Sequence, residues 1–464
     1  MRAEEQLSLT GELARFVTSL SPERLPAEVL DDARWRLVDT VGVALAGSRM
    51  DYAPAVIDVI RGMGGRAEAT VIGAGDRLPA ASAGFVNGAF AHGPDYDDTH
   101  SIAMVHIGCL AVPAAFAMAE RTGARGNEFL TALVAGAEVG LRIAAAVPHR
   151  FHARGYHATG VVGPFVAATS AGRLLRLTSE QLGNALGLAG SQADGVMQGL
   201  HDGSWVKRLH PAYGAQSGIM AALLAPRGFT GPREVLEGAA GLYRTFLHDD
   251  EAVIDPGLVL AGLGTEWLLP KTTFKPYPNG AWNHSTMDAV RMIMDRERLL
   301  HTDIELVVST VPEPCSVVFE PREVKIHPQT PYHMKFSLPY SVAILAVLGR
   351  VAIDDYTEAV LGNPEIAGLA SRIHCEADPA MSPEGFPARV RLQTRDGRTL
   401  LQDVPAQRGG PGNPMAIEDH RTKFRSNAEM SLGPERADAL LRSLERVAEA
   451  PNLTEIAELL APPR

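Results

Sequence analysis

Residues 87–106 read NGAFAHGPDYDDTHSIAMVH, which places three carboxylates (Asp95, Asp97, Asp98), three imidazoles (His92, His100, His106) and the hydroxyl of Thr99 between small, apolar flanks. Buried together, such groups repel one another unless they are paired with cations, share protons or bind a metal. Each of those arrangements is a functional site. Four further segments set ionisable groups beside turns and helix starts. RGYHATG at 154–160 places His157 just ahead of an apolar helix. DGSWVKRLHPAYGAQSG at 202–218 places Lys207, Arg208 and His210 before a helix whose first turn is small, and cations beside a helix N-terminus suit a carboxylate. KPYPNGAWNH at 275–284 holds Lys275, Asn279 and His284 around a Pro-bounded turn, and PYHMKFSLPYSVA at 331–343 carries His333, Lys335, Ser337 and Tyr340. Singly, each has a structural reading: His157 as a helix-entry cap, Lys335 as a solvated cation, Tyr340 as core. Together they gather cations and imidazoles in an acidic protein, a pattern suited to a small polyanionic substrate.

The formal net charge is −11, from 43 Lys and Arg against 54 Asp and Glu. That balance leaves no basic footprint for nucleic acid or an anionic membrane. Cys109, Cys315 and Cys375 are far apart and lack CxxC spacing, which argues against a disulfide framework or a structural zinc site and for a reducing compartment. The first residues, MRAEEQLSLTGELARF, are acidic and amphipathic, and no apolar run reaches bilayer length, so a cytoplasmic protein is expected.

These residues need two frameworks to hold them, and a chain of 464 residues exceeds one ordinary core. From about residue 8 to 235 apolar residues recur at three- and four-residue steps, as in Leu30, Ala33, Leu37, Val41 and Leu45, so a helical bundle is predicted. Helices are expected near 110–121, 128–147, 161–175, 179–200 and 214–225, with Thr178 and Gln181 forming a capping box. Near residue 265 the character changes. Beyond it a helix at about 284–297, a β-branched strand at 304–311, and a hairpin through Asp396-Gly397 after 388–394 predict a mixed α and β part. After Pro414 the pattern returns to helix, with Ala437, Leu440, Leu441, Leu444 and Val447 in register, so the tail is expected to pack back on the first domain.

Five motifs, in order, resemble the MmgE/PrpD family: DYDDTH with a downstream His, GYHATG, KRLHPAYGAQSG, KPYPNG with a downstream His, and KFSLPYSVA. The family includes 2-methylcitrate dehydratases, cis-aconitate decarboxylases and iminodisuccinate epimerases, and the match runs from LVDTVGVALAG at 37–47 to KFRSNAEMSL at 423–432. The resemblance implies a mainly α protein: a large all-helical bundle domain at 1–266 and 408–464, with a smaller α+β lid domain at 267–407 inserted in it. It also implies a homodimer, a small polycarboxylate substrate, and an active site between the domains that needs neither metal nor cofactor. Residue by residue it places Asp95, Thr99, His106, His157, Lys207, Lys275 and Tyr340 at that site. This sequence departs from the pattern in two places: Ile107-Gly108 follows His106 where relatives commonly have Pro, and Asn279-Gly280 stands where they often have Cys or His.

The family's substrates share a bond to carbon, beside a carboxylate, that must be broken or made. The resulting negative charge needs cations and a positioned proton carrier. His106 and His157 are expected to carry the proton and Lys207 to stabilise the charge, with Asp95 orienting an imidazole or a substrate hydroxyl and Tyr340 protonating a leaving group or product. Thr99, Arg208, His210, Lys275, Asn279 and His284 are expected to bind substrate. Water elimination from a 2-methylcitrate-like acid stands first on residues alone, epimerisation of an iminodisuccinate-like acid second, and decarboxylation of a cis-aconitate-like acid third. Outside the family, the 95–106 Asp/His cluster would serve a metal-dependent enzyme, or the chain would be a binding protein without chemistry.

Overall fold

A computed structural model describes residues 8–248 and 255–462; the acidic start of the chain, at residues 1–7, lies outside them. The chain divides into two compact units. The first comprises Met1–Gly93, Ile102–Lys271 and Ala416–Arg464, and the second Pro94–Ser101 and Thr272–Met415. The fold is mainly helical with a smaller α+β part. Among the described residues no helix is long and apolar enough to cross a membrane.

The first unit is built of helices whose Ala- and Gly-rich faces allow close approach. Its principal members are Ala27–Gly47, Ala80–His92, Gly108–Thr122, Gly126–Ala145, Ala158–Leu174, Ser179–Gly190 and His210–Leu224. Helix Ala80–His92 is buried from Ala83 through His92, so it lacks the polar stripe of a surface helix and runs through the core. Two helix crossings depend on three glycines. A Cβ on Gly88 would come within 3.0 Å of the Pro211 carbonyl group, one on Gly163 within 3.1 Å of Gly214, and one on Gly218 within 2.4 Å of the Pro164 carbonyl oxygen. Helices 80–92, 158–174 and 210–224 are thereby drawn together at backbone distance. The C-terminal helix Ile417–Leu432 belongs to this unit, where Lys423 Nζ lies 2.7 Å from Asp39 of helix 27–47 and His420 stacks on Trp35.

One expected helix is shorter than its periodicity predicts. The capping box at Thr178 and Gln181 opens it, but the helix stops at Gly190, and 191–198 runs as turns with Gly195 at φ +112°. The apolar spacing of Ala193 and Val196 continues past the end because periodicity does not see the backbone break.

The second unit carries a four-stranded sheet in the order Ile373–Asp378, Ile304–Pro312, Ala388–Thr394, Thr399–Val404. Ile304–Pro312 is central, as its β-branched run favours, and pairs antiparallel with Ala388–Thr394 (Val307 opposite Leu392). The hairpin of the last two strands turns through Asp396-Gly397, with Gly397 at φ +89°. The fourth strand, Ile373–Asp378, pairs parallel with the centre, Val307 opposite Ile373, and has no turn-linked partner to announce it in the sequence. Helix His284–Glu297 packs on the hairpin strands. The segment Pro94–Ser101 belongs to this unit although both its flanks belong to the first, through a two-way backbone bridge between Thr99 and Thr273 at 2.9 and 3.0 Å.

Candidate active site

In the first unit, separate helices deliver a cluster of imidazoles to one ammonium group. His92 is the last residue of helix 80–92. His157 is the N-cap of helix 158–174, and its backbone N–H donates to the Gly195 carbonyl at 2.6 Å. Gly195 is required there: its φ of +112° is left-handed, and a Cβ would lie 3.0 Å from the His157 carbonyl oxygen. Lys207 sits on the 3-10 turn Trp205–Leu209, and His210 opens the helix that follows. His106 is held through its backbone N–H, which donates to Thr159 Oγ1 at 3.1 Å.

Lys207 Nζ lies 2.9 Å from His92 Nε2, and His157 Nδ1 lies 3.0 Å from His210 Nδ1. The ring of His92 is 4.9 Å from that of His106 and stacks on His157 at 5.4 Å, while His106 and His157 are 5.6 Å apart. His152 meets His157 edge-on at 5.8 Å. His157 Nε2 is buried and has no hydrogen-bond partner among the described residues. The structure thus brings four sequence-predicted residues together: His106, His157, Lys207 and His210. Arg208 faces elsewhere, its guanidinium 4.7 Å over Tyr52, 5.1 Å over Trp205 and 3.4 Å from Asp51.

Burial sets the charge of this cluster. His157 is held well below the usual imidazole range, first by burial and then by Lys207 and the neighbouring imidazoles. Burial, with His92 and Lys207, pushes His210 down to about 3, and burial, with His149 and Lys207, pushes His152 down to about 4. These rings are neutral at neutral pH. The unfolded chain, with His210 near 6.5, takes up the proton first as pH falls, so this group's contribution to stability is complete above pH 6.5 and is lost below it. At about 1.4 kcal/mol per pH unit, His210 alone is expected to cost about 2 kcal/mol between pH 6.5 and 5. Urea midpoints at pH 7 and pH 5 check this; equal midpoints would show that the imidazole protonates without penalty in the folded protein.

One ligand-competent atom each from His92, His106 and His157 lies within 4.8 Å of the others, a spacing that fits a metal ion. The ammonium 2.9 Å from His92 works against this, because a dication there must displace it or strip its proton.

In the second unit, the segment 94–101 is fastened by lysines. Lys275 Nζ donates to the Asp95 carbonyl at 3.1 Å and lies 3.9 Å from Asp97 Oδ1, and Lys335 Nζ donates to the Pro94 carbonyl. Asp95 holds a left-handed backbone at φ +57°, and Tyr96 Oη donates to the Pro276 carbonyl at 3.0 Å. Asp95, Thr99 and Lys275 are therefore neighbours here. Asn279 Nδ2 donates to Tyr356 Oη at 2.9 Å, with Lys335 Nζ 4.6 Å over the same ring, and Asn279 Oδ1 has no partner among the described residues. His284 Nδ1 pairs with Gln407 at 2.7 Å. The Tyr340 hydroxyl donates to the carbonyl of Leu361, the last residue of helix Glu358–Leu361, and burial raises its pKa.

The alternative of a solvated Lys335 does not hold: it is 2% exposed, its stem buried and its ammonium set against a backbone carbonyl and an aromatic face. Sequence reasoning also passed over His92, His152 and Tyr356 as site residues. The signal for His92 was present, since it opens the same dense segment as Asp95; nothing local marked the other two.

A mainly helical unit thus sets a buried ammonium against a cluster of imidazoles, groups able to hold an anion and to carry a proton. The sequence pattern of the MmgE/PrpD N-terminal domain matches residues 11–255 and that of the MmgE/PrpD C-terminal domain matches 277–448, so the chain belongs to the MmgE/PrpD family. It is 28% identical over 475 residues, covering 98% of this chain and 97% of the other, to a cis-aconitate decarboxylase-like protein of Aspergillus oryzae. It is 27% identical to the cis-aconitate decarboxylase of Homo sapiens, over 98% of this chain and 95% of the other. A 2-methylcitrate dehydratase of Cupriavidus necator matches at 27% identity over 154 residues, 30% of each chain.

Proposed function

We propose that the protein is a lyase acting on a small polycarboxylate, and that its reaction is decarboxylation of a cis-aconitate-like tricarboxylic acid. The observation that carries the reading is the convergence of His92, His106 and His157 on Lys207, 2.9 Å from the first of them, in a buried setting. When the bond to the departing carboxylate breaks, CO2 leaves and the electron pair remains in conjugation with a second carboxylate; one proton then adds to carbon. Lys207 stabilises the negative charge as it spreads, which a fixed cation does best where water is excluded. His106 and His157 carry the proton, and His106, the half-buried member, exchanges it with solvent. Lys275 and Thr99 as carboxylate ligands rest on the family resemblance alone.

Water elimination stood first on the residues, and the relatives matched along the whole chain now favour decarboxylation over it. Elimination from a 2-methylcitrate-like acid is the second reading, supported by the shorter match to a dehydratase. Incubation of the purified protein in D2O with cis-aconitate and, separately, 2-methylcitrate, followed by NMR, tests both. The expected result is CO2 release from cis-aconitate with deuterium on one product carbon. Unchanged cis-aconitate alongside conversion of 2-methylcitrate to an unsaturated acid would overturn decarboxylation in favour of elimination.

A further inference from the structure

One contact in the first unit is assigned by neither the motifs nor the resemblance. His92 Nε2 lies 2.9 Å from Lys207 Nζ, across 115 residues of sequence. An ammonium group has only donors, so a ring nitrogen facing it at that distance must accept. His92 is therefore neutral, with its own proton on Nδ1; a protonated His92 would set two cations at hydrogen-bond distance with nothing gained.

The ring is held firmly enough to aim its partner. His92 ends a helix buried from Ala83 onward, and Tyr52 packs closely on Gly93 after it, where a Cβ would fall 1.9 Å from Tyr52 Oη. Tyr52 Oη in turn donates to the Ala89 carbonyl at 3.2 Å, one turn earlier in the same helix. The helix also presents its C-terminal end here, where aligned carbonyl dipoles favour a cation. On the other side the His92 ring stacks on His157 at 5.4 Å and tilts against His106 at 4.9 Å, so an ammonium bonded to Nε2 is tied to the same cluster as both proton carriers.

We propose that His92 is a positioning residue for Lys207: as a neutral Nδ1–H tautomer it accepts the ammonium's hydrogen bond at Nε2 and fixes where the cation meets the substrate. The inference rests on the proton-transfer reading above, and one arm of its test does not require turnover. That arm is 15N NMR of the protein labelled with [15N]histidine, with His92 assigned by its loss in a variant. The expected signature is an unprotonated, hydrogen-bonded Nε2 and a protonated Nδ1; a protonated Nε2 overturns the proposal whether or not any substrate turns over.

The second arm compares His92→Gln, whose amide oxygen reaches the place of Nε2, with His92→Asn, whose amide stops near Nδ1. Both variants are polar, and melting temperatures establish that both fold. Losing a hydrogen bond to a charged group is expected to lower kcat/KM about 10- to 100-fold in the Asn variant, with the Gln variant recovering most of it. Equal activity in the two variants, high or low, overturns a role through Nε2.

Discussion

Lys207→Met is expected to lower kcat/KM for the tricarboxylate substrate by about 10³-fold, equivalent to about 4 kcal/mol of lost transition-state stabilisation. Methionine keeps the length and apolar stem of a side chain that is almost wholly buried, so the fold should be little disturbed. What disappears is the charge facing His92, in a cluster where burial holds His157, His210 and His152 neutral. Neutral rings are poor substitutes for a cation when a carboxylate binds and its negative charge spreads. Lys207→Arg is expected to restore little, since a planar guanidinium cannot occupy the point position of an ammonium 2.9 Å from an imidazole. Steady-state kinetics of both variants, with urea midpoints as a control on folding, decide the matter. A Met variant within a few fold of the wild type would remove Lys207 from the chemistry and, with it, the reason to place the reaction in the imidazole cluster.

The largest effect on stability is expected from Arg142→Ala, at about 3–5 kcal/mol. Glu138 and Arg142 stand one turn apart on helix 126–145, both buried, with Arg142 Nε 3.3 Å from Glu138 Oε2. Glu138 Oε1 also accepts the backbone N–H groups of Leu268 and Leu269 at 2.7 and 2.8 Å. Arg142 donates to the carbonyls of Ala261 and Glu266 at 2.6 Å each and to that of Gly262 at 3.2 Å. The carboxylate and the guanidinium together pin residues 261–269 to the helix. Removing the guanidinium leaves a buried carboxylate without its counter-ion, takes a donor from the carbonyls that Arg142 bonds, and lets burial push the Glu138 pKa further up. Urea denaturation measures the loss. A change below about 1 kcal/mol, the range of an exposed pair, would mean that water reaches the site and screens the charges.

Much of this organisation is legible in the chain itself. The three- and four-residue apolar steps of Leu30 to Leu45, the capping box at Thr178 and Gln181, and the Asp396-Gly397 turn are local signals, written within a few residues of where they act, and helix 27–47, helix 179–190 and the last hairpin follow them. The density of carboxylates and imidazoles at 87–106 was equally legible, because crowded charge has to be explained whatever the fold.

What the sequence could not determine was where those groups go. The dense segment is divided: His92 and His106 lie in the first unit, while Asp95, Asp97, Asp98 and Thr99 lie in the second, held by Thr273 and Lys275. The parallel strand Ile373–Asp378 has its partner more than 60 residues away, and the burial of Lys335 follows from contacts with Pro94 and Tyr356 rather than from its neighbours in sequence. The contact between His92 and Lys207 likewise arises through glycine-mediated crossings of helices distant in the chain. Local propensity acts over a turn or two of backbone, so it could specify which residues are able to carry protons and charge. Which nitrogen faces which ammonium, and which imidazoles stay neutral, was decided only by the packing that buries them and removes the water that would otherwise set their charge.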